Sequence, residues 1–212
     1  AASGSWLFDP FSITINSSTT SGSTQSSGTY TTTATSNILN TDIQNLLNAG
    51  TSVSISTGGA TPGADAGDIT VSATITKSSG TAATLTLSAY RNVVINQIIS
   101  STSGALGLTV TATTGSFSGS GNLTLNGGAL SVTQATAGTY SGIIGSSSTT
   151  LTKAGAGILT LSGANSYTGA IGDGYITLDT GHLWVWDGTE WDDVGNVTGP
   201  QGAQGAIGIQ GF

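Results

Sequence analysis

Leu85-Thr86-Leu87 and Leu108-Thr109-Val110 share one short pattern, in which two apolar residues flank a threonine. The pattern returns in Ile69-Thr70-Val71, Leu123-Thr124-Leu125 and Leu159-Thr160-Leu161. Alternation with a period of two places the apolar residues on one face of a β-strand and threonine on the other. Recurrence of such strands between Gly-, Ser- and Thr-rich tracts predicts stacked coils around one core, a β-solenoid. At about 20 residues per coil, residues 1–170 would form roughly eight coils.

The composition excludes several classes of partner. Only 6% of the 212 residues are charged and the net charge is -7, with Lys77, Arg91 and Lys153 as the only basic residues. Three cations cannot neutralise a phosphate backbone, so nucleic acid is not an expected partner. The chain has no cysteine, which excludes disulfides and thiolate metal sites. No apolar run approaches the ~18 residues of a membrane helix, so we expect no membrane insertion.

One helix is predicted, over residues 41–49. Thr41 is its expected N-cap and Gln44 stands at the capping-box position, while Leu46 and Leu47 lie on its apolar face. An open solenoid end carries unpaired strand edges that recruit other chains. We therefore expect the helix to cap the solenoid; a helix in a side loop is the alternative. The Ser/Thr-rich tract from residue 17 to residue 36 is predicted to be a surface loop.

The composition changes after residue 170. Residues 171–196 contain Trp184-Val185-Trp186 followed by Asp187-Gly188, a hairpin signal, and are predicted to form a small Trp/Asp-rich β-module. Three tryptophans in so small a unit are better explained as its core than as a sugar-stacking surface.

Residues 197–212 contain an unbroken Gly-X-Y run with Gly199, Gly202, Gly205 and Gly208. Only glycine fits the axis of a collagen triple helix, so the run predicts the start of a collagen-like segment and a homotrimer. Like charges on the acidic residues would repel in a trimer, which places the expected contact at Trp184, Val185 or Trp186. The run ends inside a triplet, so we expect the natural chain to continue beyond Phe212.

Residues suited to chemistry are few. Asp65 and Asp68 stand in a Gly-rich turn, where aspartate is an ordinary turn residue, and the single histidine, His182, is predicted to lie in a turn. Asp173, Asp179 and Asp187 are weak calcium candidates, because carboxylates suit calcium but the EF-hand spacing is missing; a solvated acidic surface is the preferred interpretation. Asn92 and Asn96 are expected to hydrogen-bond along the stacked coils. We predict no catalytic residue, no cofactor and no enzymatic activity.

Several of these stretches resemble known families. Trp6–Pro10, the helix at 41–49, residues 67–71 and residues 85–96 resemble the right-handed parallel β-helix of filamentous-haemagglutinin-like bacterial exoproteins. Residues 151–169 resemble the repeat of autotransporter passenger domains. The Trp-Asp-Gly-Thr-Glu-Trp stretch that ends at Trp191 resembles a unit that precedes collagen-like regions in bacterial and viral fibre proteins. These resemblances imply a secreted protein displayed at a cell surface.

Together these observations predict an all-β chain with a β-helix over 1–170, the β-module and the collagen-like start. The expected function is that of an extracellular structural or adhesive fibre subunit that forms trimers and contacts host or cell-surface glycans. Two alternatives stay open: a virion or phage fibre segment, and a carbohydrate-binding or polysaccharide-degrading β-helix protein. A polysaccharide-active solenoid would need clustered carboxylates.

Overall fold

The structure, a computed structural model, describes residues 11–57, 66–146, 149–167, 174–176, 182–186 and 191–196. The chain divides into two compact units, Ala1–Thr168 and Gly169–Phe212. The predicted collagen-like segment, 197–212, lies outside the described residues.

The first unit contains one helix, α1 (Asn40–Asn48), and eighteen strands within the described residues. The strands are β1 (Ile13–Asn16), β2 (Ser21–Ser26), β3 (Thr29–Leu39), β4 (Val53–Ser56), β5 (Ile69–Val71), β6 (Ile75–Lys77), β7 (Ala83–Ala89), β8 (Val93–Ile95), β9 (Ile99–Ser101), β10 (Leu106–Ala112), β11 (Phe117–Gly119), β12 (Leu123–Thr124), β13 (Leu130–Gln134), β14 (Gly138–Tyr140), β15 (Gly145–Ser146), β16 (Leu151–Ala154), β17 (Leu159–Leu161) and β18 (Ser166–Tyr167).

From β4 onward, consecutive strands turn corners, and each strand of one coil pairs in parallel with the strand three places further along the chain. Face 1 consists of β4, β7, β10, β13 and β16, and face 2 of β5, β8, β11, β14 and β17. Face 3 consists of β6, β9 and β12, and a parallel bridge between Leu123 and Ile144 continues it to β15 and β18. The predicted β-solenoid is thereby confirmed, with about six turns.

The number of coils differs from the predicted eight. Leu85 pairs with Leu108, Leu108 with Leu130 and Leu130 with Leu151, so these coils are 23, 22 and 21 residues long. Val53 pairs with Leu85, which makes that coil 32 residues long. Part of the chain before β4 is also used outside the regular coils, so fewer coils fit.

The core lies between the three faces. Along β7 and β10 every second residue is buried, from Ala83 to Ala89 and from Leu106 to Ala112. Phe117 and Tyr140 stack inside face 2 with ring centroids 4.5 Å apart. A side chain at Gly138 would place its Cβ 2.3 Å from the Phe117 carbonyl oxygen, so glycine is required where these coils approach each other closely.

The N-terminal coil is built differently from the others. The first half of β3 pairs with β4 on face 1, and its second half pairs with β1, which lies between β3 and β5 on face 2. Strand β2 runs antiparallel along the outside of β3. The prediction of a loop over 17–36 is therefore wrong. Alternation was hidden there because both faces of β2 carry polar residues.

The second unit contains a three-stranded antiparallel sheet of β19 (Gly174–Ile176), β20 (His182–Trp186) and β21 (Trp191–Asn196). Trp186 pairs with Trp191, so the predicted Asp187-Gly188 turn falls between two antiparallel strands, although residues 187–190 lie outside the described residues. His182 begins β20 and pairs with Asn196. Its prediction as a turn residue is wrong, because the strand starts immediately after Gly181.

Candidate functional site

The N-terminal end of the solenoid is closed on face 3 by α1. The helix lies along the outer edge of β6, in the place where a further strand would otherwise pair. Three amide side chains, which we call the amide ladder, contact this edge: Asn40, Gln44 and Asn48. They are spaced four residues apart, which puts them on one face of the helix.

The amide ladder hydrogen-bonds the backbone of β6 and of the residues beside it. The Asn40 Nδ2 donates to the Thr74 carbonyl at 2.7 Å, and the Thr76 N–H donates to the Gln44 Oε1 at 3.3 Å. The Asn48 Oδ1 accepts from the N–H groups of Ser78 and Ser79, at 2.8 and 3.2 Å. These side chains satisfy edge groups that would otherwise be free to pair with another chain.

The predicted local cap of the helix is not the one observed. Leu39 is the N-cap residue and makes no side-chain capping bond, while Thr41 lies in the first turn with its side chain exposed. The Leu39 N–H instead donates to the Thr20 Oγ1 at 3.0 Å, and that hydroxyl donates to the Asp42 Oδ2 at 2.7 Å. Thr20, in the loop before β2, thus accepts the hydrogen bond from the N-cap N–H that the predicted capping box assigned to Gln44. Gln44 is engaged with Thr76 rather than with its own helix terminus.

The apolar face of α1 packs into the core. Ile43 and Leu47 are completely buried, and Leu46 is partly buried against the core. Beneath the helix, burial raises the pKa of the Tyr30 hydroxyl, and the nearby Asp42 carboxylate raises it further.

The other end of the solenoid is finished differently. Within the described residues, no strand pairs with the outer edges of β16, β17 and β18. Leu151, Leu159 and Leu161 are only partly buried, whereas the leucines of β7, β10 and β13 are completely buried. The N-terminal end is therefore closed by hydrogen-bonded side chains, whereas the last described coil leaves its leucines partly exposed.

One ion pair stands at the corner between faces 1 and 2. The Arg91 Nη2 lies 2.6 Å from the Asp68 Oδ2, and the Arg91 Nε and the Asn92 N–H both donate to the Asp68 Oδ1, at 2.9 and 3.0 Å. The hydrogen bond from Arg91 is the main cause that lowers the pKa of Asp68, and the Asn92 N–H adds to it. With both carboxylate oxygens engaged, Asp68 has a structural role. Its predicted neighbour Asp65 lies outside the described residues.

This ion pair predicts a modest acid sensitivity. Because the folded-state pKa of Asp68 lies below its ordinary 3.8, its contribution is present above a pH of about 4 and is lost as the pH falls through the folded-state pKa. The side chain of Arg91 is 50% exposed, so solvent screening keeps the contribution small. We expect Asp68→Asn to flatten the fall in melting temperature below pH 4. An unchanged pH profile in that variant would contradict the assignment.

Polar side chains also connect successive coils. The Ser116 N–H donates to the Asn92 Oδ1 at 3.0 Å, the Ile143 N–H to the Asn122 Oδ1 at 2.9 Å and the Ile144 N–H to the Asn165 Oδ1 at 2.8 Å. Asn92 thus bonds along the stack as predicted, whereas no such bond to the Asn96 side chain is found among the described residues.

The sequence analysis missed the buried polar residues of the solenoid, of which Gln134 and Lys77 have the largest side chains. Gln134 accepts from the Phe117 N–H at 2.9 Å and donates to the Ile158 carbonyl at 2.7 Å, and so links three coils. Lys77 is completely buried, and its Nζ donates to the carbonyls of Ser79, Gly80 and Ser103. Both residues point inward from strands, so the period-two pattern predicts that they are buried. It does not predict which backbone groups they bind.

The remaining predicted site residues are placed by the backbone alone or fall outside the description. Trp184, Val185 and Trp186 lie on β20. The calcium candidates Asp173, Asp179 and Asp187 and the glycines Gly199, Gly202, Gly205 and Gly208 lie outside the described residues. Among the residues that are described, no three His, Cys, Asp or Glu side chains are grouped to hold a metal ion. No helix in that part of the chain is both long and apolar enough to span a membrane.

A comparison with known families supports the surface-protein interpretation. The family described as Passenger-associated-transport-repeat matches residues 151–189, which include β16, β17 and β18 and continue into the second unit. No curated protein and no solved structure matches the chain. The repeat match and the β-solenoid together indicate an autotransporter passenger-like protein that is secreted or displayed at the cell surface.

Proposed function

We propose that this chain is a non-enzymatic structural or adhesive subunit of an extracellular fibre. The observation that carries the proposal is the regular parallel solenoid, whose coils pair in register and whose N-terminal end is closed by the amide ladder. Such a scaffold presents long, regular outer faces, which suit display and the binding of a partner rather than catalysis of a reaction. The match to a passenger repeat supports the same interpretation.

The distribution of acids supports the non-enzymatic part. Hydrolysis of a glycosidic bond uses two carboxyl groups that flank it. Among the described residues of the solenoid, Asp68 accepts hydrogen bonds from Arg91 and Asn92. Asp42, in the first turn of α1, accepts a hydrogen bond from the Thr20 hydroxyl. Neither carboxylate is paired with a second one.

Two measurements test the proposal. An antibody against the chain should label intact cells of the source organism without permeabilisation, and labelling that requires permeabilisation would contradict surface display. Incubation of the purified chain with a panel of polysaccharides should release no new reducing ends. If the wild type releases new reducing ends and the Asp68→Asn variant does not, the polysaccharide-degrading alternative is established instead.

We also propose that the chain assembles as a homotrimer through residues 172–212. An isolated collagen strand has no internal hydrogen bonds and needs two partners, whereas the solenoid strands pair within one chain. Mass measurement in solution should give a trimer for the full chain and a monomer after removal of residues 172–212. A monomer in both cases would mean that the Gly-X-Y run has no assembly role at this length.

A further inference from the structure

The outer surface of face 1 carries a two-column array of hydroxyl groups. Every second residue of its strands points away from the core, and these positions are serine or threonine in nine of the ten places that form the two columns. The first column is Ser54, Thr86, Thr109, Ser131 and Thr152. The second is Ser56, Ser88, Thr111 and Thr133, followed by Ala154. We call these nine residues the hydroxyl array.

The array is regular in two directions. Within each column the residues are direct partners on neighbouring strands, and none of the four strand pairings contains a register shift. Neighbouring strands are about 4.8 Å apart, and residues i and i+2 on one strand are about 6.6 Å apart. The residues that carry the hydroxyls therefore form a regular two-column grid five strands long.

The hydroxyls of the array are almost all unused within the protein. Ser56 donates to the Thr57 carbonyl at 3.2 Å. The side chains of the other eight residues are half-buried or exposed. Within the described part of the chain, their hydroxyls make no hydrogen bond to a protein group. On face 3, by contrast, Thr76 and Ser100 are paired through their hydroxyls at 3.2 Å. Face 1 thus presents its hydroxyls to whatever lies against it.

The uncharged, regularly spaced groups of the array favour a neutral partner whose own groups repeat on a lattice. The outward positions of face 1 carry no charged, aromatic or amide side chain, so this face lacks the groups on which carbohydrate sites usually depend for stacking and orientation. What it offers is hydroxyl and methyl groups at two fixed spacings. Water held by such a grid would share its periodicity, because the rigid sheet holds the hydroxyls in place and little ordering remains to be done on binding.

We propose that the hydroxyl array is a binding surface for the ordered water of ice. The oxygen atoms on the prism faces of hexagonal ice repeat on a similar scale in two perpendicular directions, as the hydroxyls do. Face 2 provides an internal contrast. Its outward residues form a single column, Thr70, Val94, Ser118, Thr139 and Thr160, which valine interrupts.

The test uses the full 212-residue chain. The wild type should shape growing ice crystals, depress their growth temperature and partition into a growing ice front. The variant Thr109→Tyr with Thr111→Tyr places bulky rings in the centre of the array and should lose all three activities. The control, Thr139→Tyr with Thr160→Tyr on face 2, should retain them. Far-UV circular dichroism and melting temperature verify that each variant is folded. The variant Thr109→Val with Thr111→Val removes two hydroxyls at nearly unchanged side-chain size and should lose the same three activities.

Three outcomes would overturn the proposal. The wild type could leave ice growth unchanged, or the face 1 and face 2 variants could lose activity equally. The third outcome is binding of the wild type to insoluble cellulose or chitin, abolished by the face 1 variants, without any effect on ice. That result would assign the array to a polysaccharide surface.

Discussion

Replacing Leu47 with alanine is expected to lower the free energy of unfolding by about 2–5 kcal/mol, because the substitution leaves a cavity where a completely buried side chain was. The same substitution at Leu46 should cost less, since Leu46 is only partly buried. Alanine is the best helix former, so neither loss can be assigned to helix propensity. Urea unfolding of the two variants measures the difference. Equal losses would show that α1 does not pack as described.

The role of α1 as a cap is tested separately from its role in the core. Leu46→Asp with Leu47→Asp should displace the helix, expose the edge of β6 and cause end-to-end association. Gln44→Ala with Asn48→Ala keeps both leucines but removes the oxygens that accept hydrogen bonds from the N–H groups of Thr76, Ser78 and Ser79. We expect this second variant to associate with little loss of stability. If light scattering finds both variants monodisperse, the helix is not a cap.

The second large effect is expected at Lys77. Its ammonium group donates to three carbonyls that belong to two successive corners of the solenoid, at Ser79, Gly80 and Ser103. Methionine has a similar length and no donor, so Lys77→Met leaves these acceptors facing an apolar group. Hydrogen bonds to charged groups contribute about 1.5–3 kcal/mol each, and the relief of a buried charge offsets part of their loss. We expect a net destabilisation on the order of 3 kcal/mol.

Lys153→Met is the matched control. Lys153 occupies the equivalent of an inward position in the last coil, but it is only half-buried, and its Nζ donates to the carbonyls of Ala154 and Gly155, its own neighbours in the chain. Its replacement should change the melting temperature very little. If the two variants melt alike, or if Lys77→Met stabilises the protein, the three carbonyls do not depend on Lys77.

Apart from β2 and β3, assignment of the solenoid residues to strands needed only local information. The alternating triplets mark strands in which a half-buried threonine separates two buried residues, at Ile69–Val71, Leu85–Leu87 and Leu108–Val110. The helix was predicted to within one residue of its observed start and end for the same reason, since its apolar spacing is contained in nine consecutive residues. Both signals come from neighbours in the chain, which is why they could be recognised without coordinates.

The order of the strands in space could not be predicted from neighbouring residues alone. The triplet at Ile69 lies on face 2, the triplet at Leu85 on face 1 and the one at Leu123 on face 3, so the motif marks strands but not coils. Pairing depends on the lengths of corners and insertions, and these change the distance from Val53 to its partner Leu85 relative to the 21 to 23 residues of later coils. Residue patterns alone therefore could not predict the number of turns.

By itself the sequence determined the all-β class, the inward and outward residues of most strands and the presence of one helix, because all of these follow from periods of two and 3.6. Only the tertiary structure decided the roles of Gln44, Asn48 and Lys77, and it alone brought the hydroxyls of face 1 into one grid. Each of these roles depends on at least one partner that lies 21 to 32 residues away in the chain. A polar side chain carries no local sign of which distant backbone group it will meet, so stacking of the coils had to supply that information.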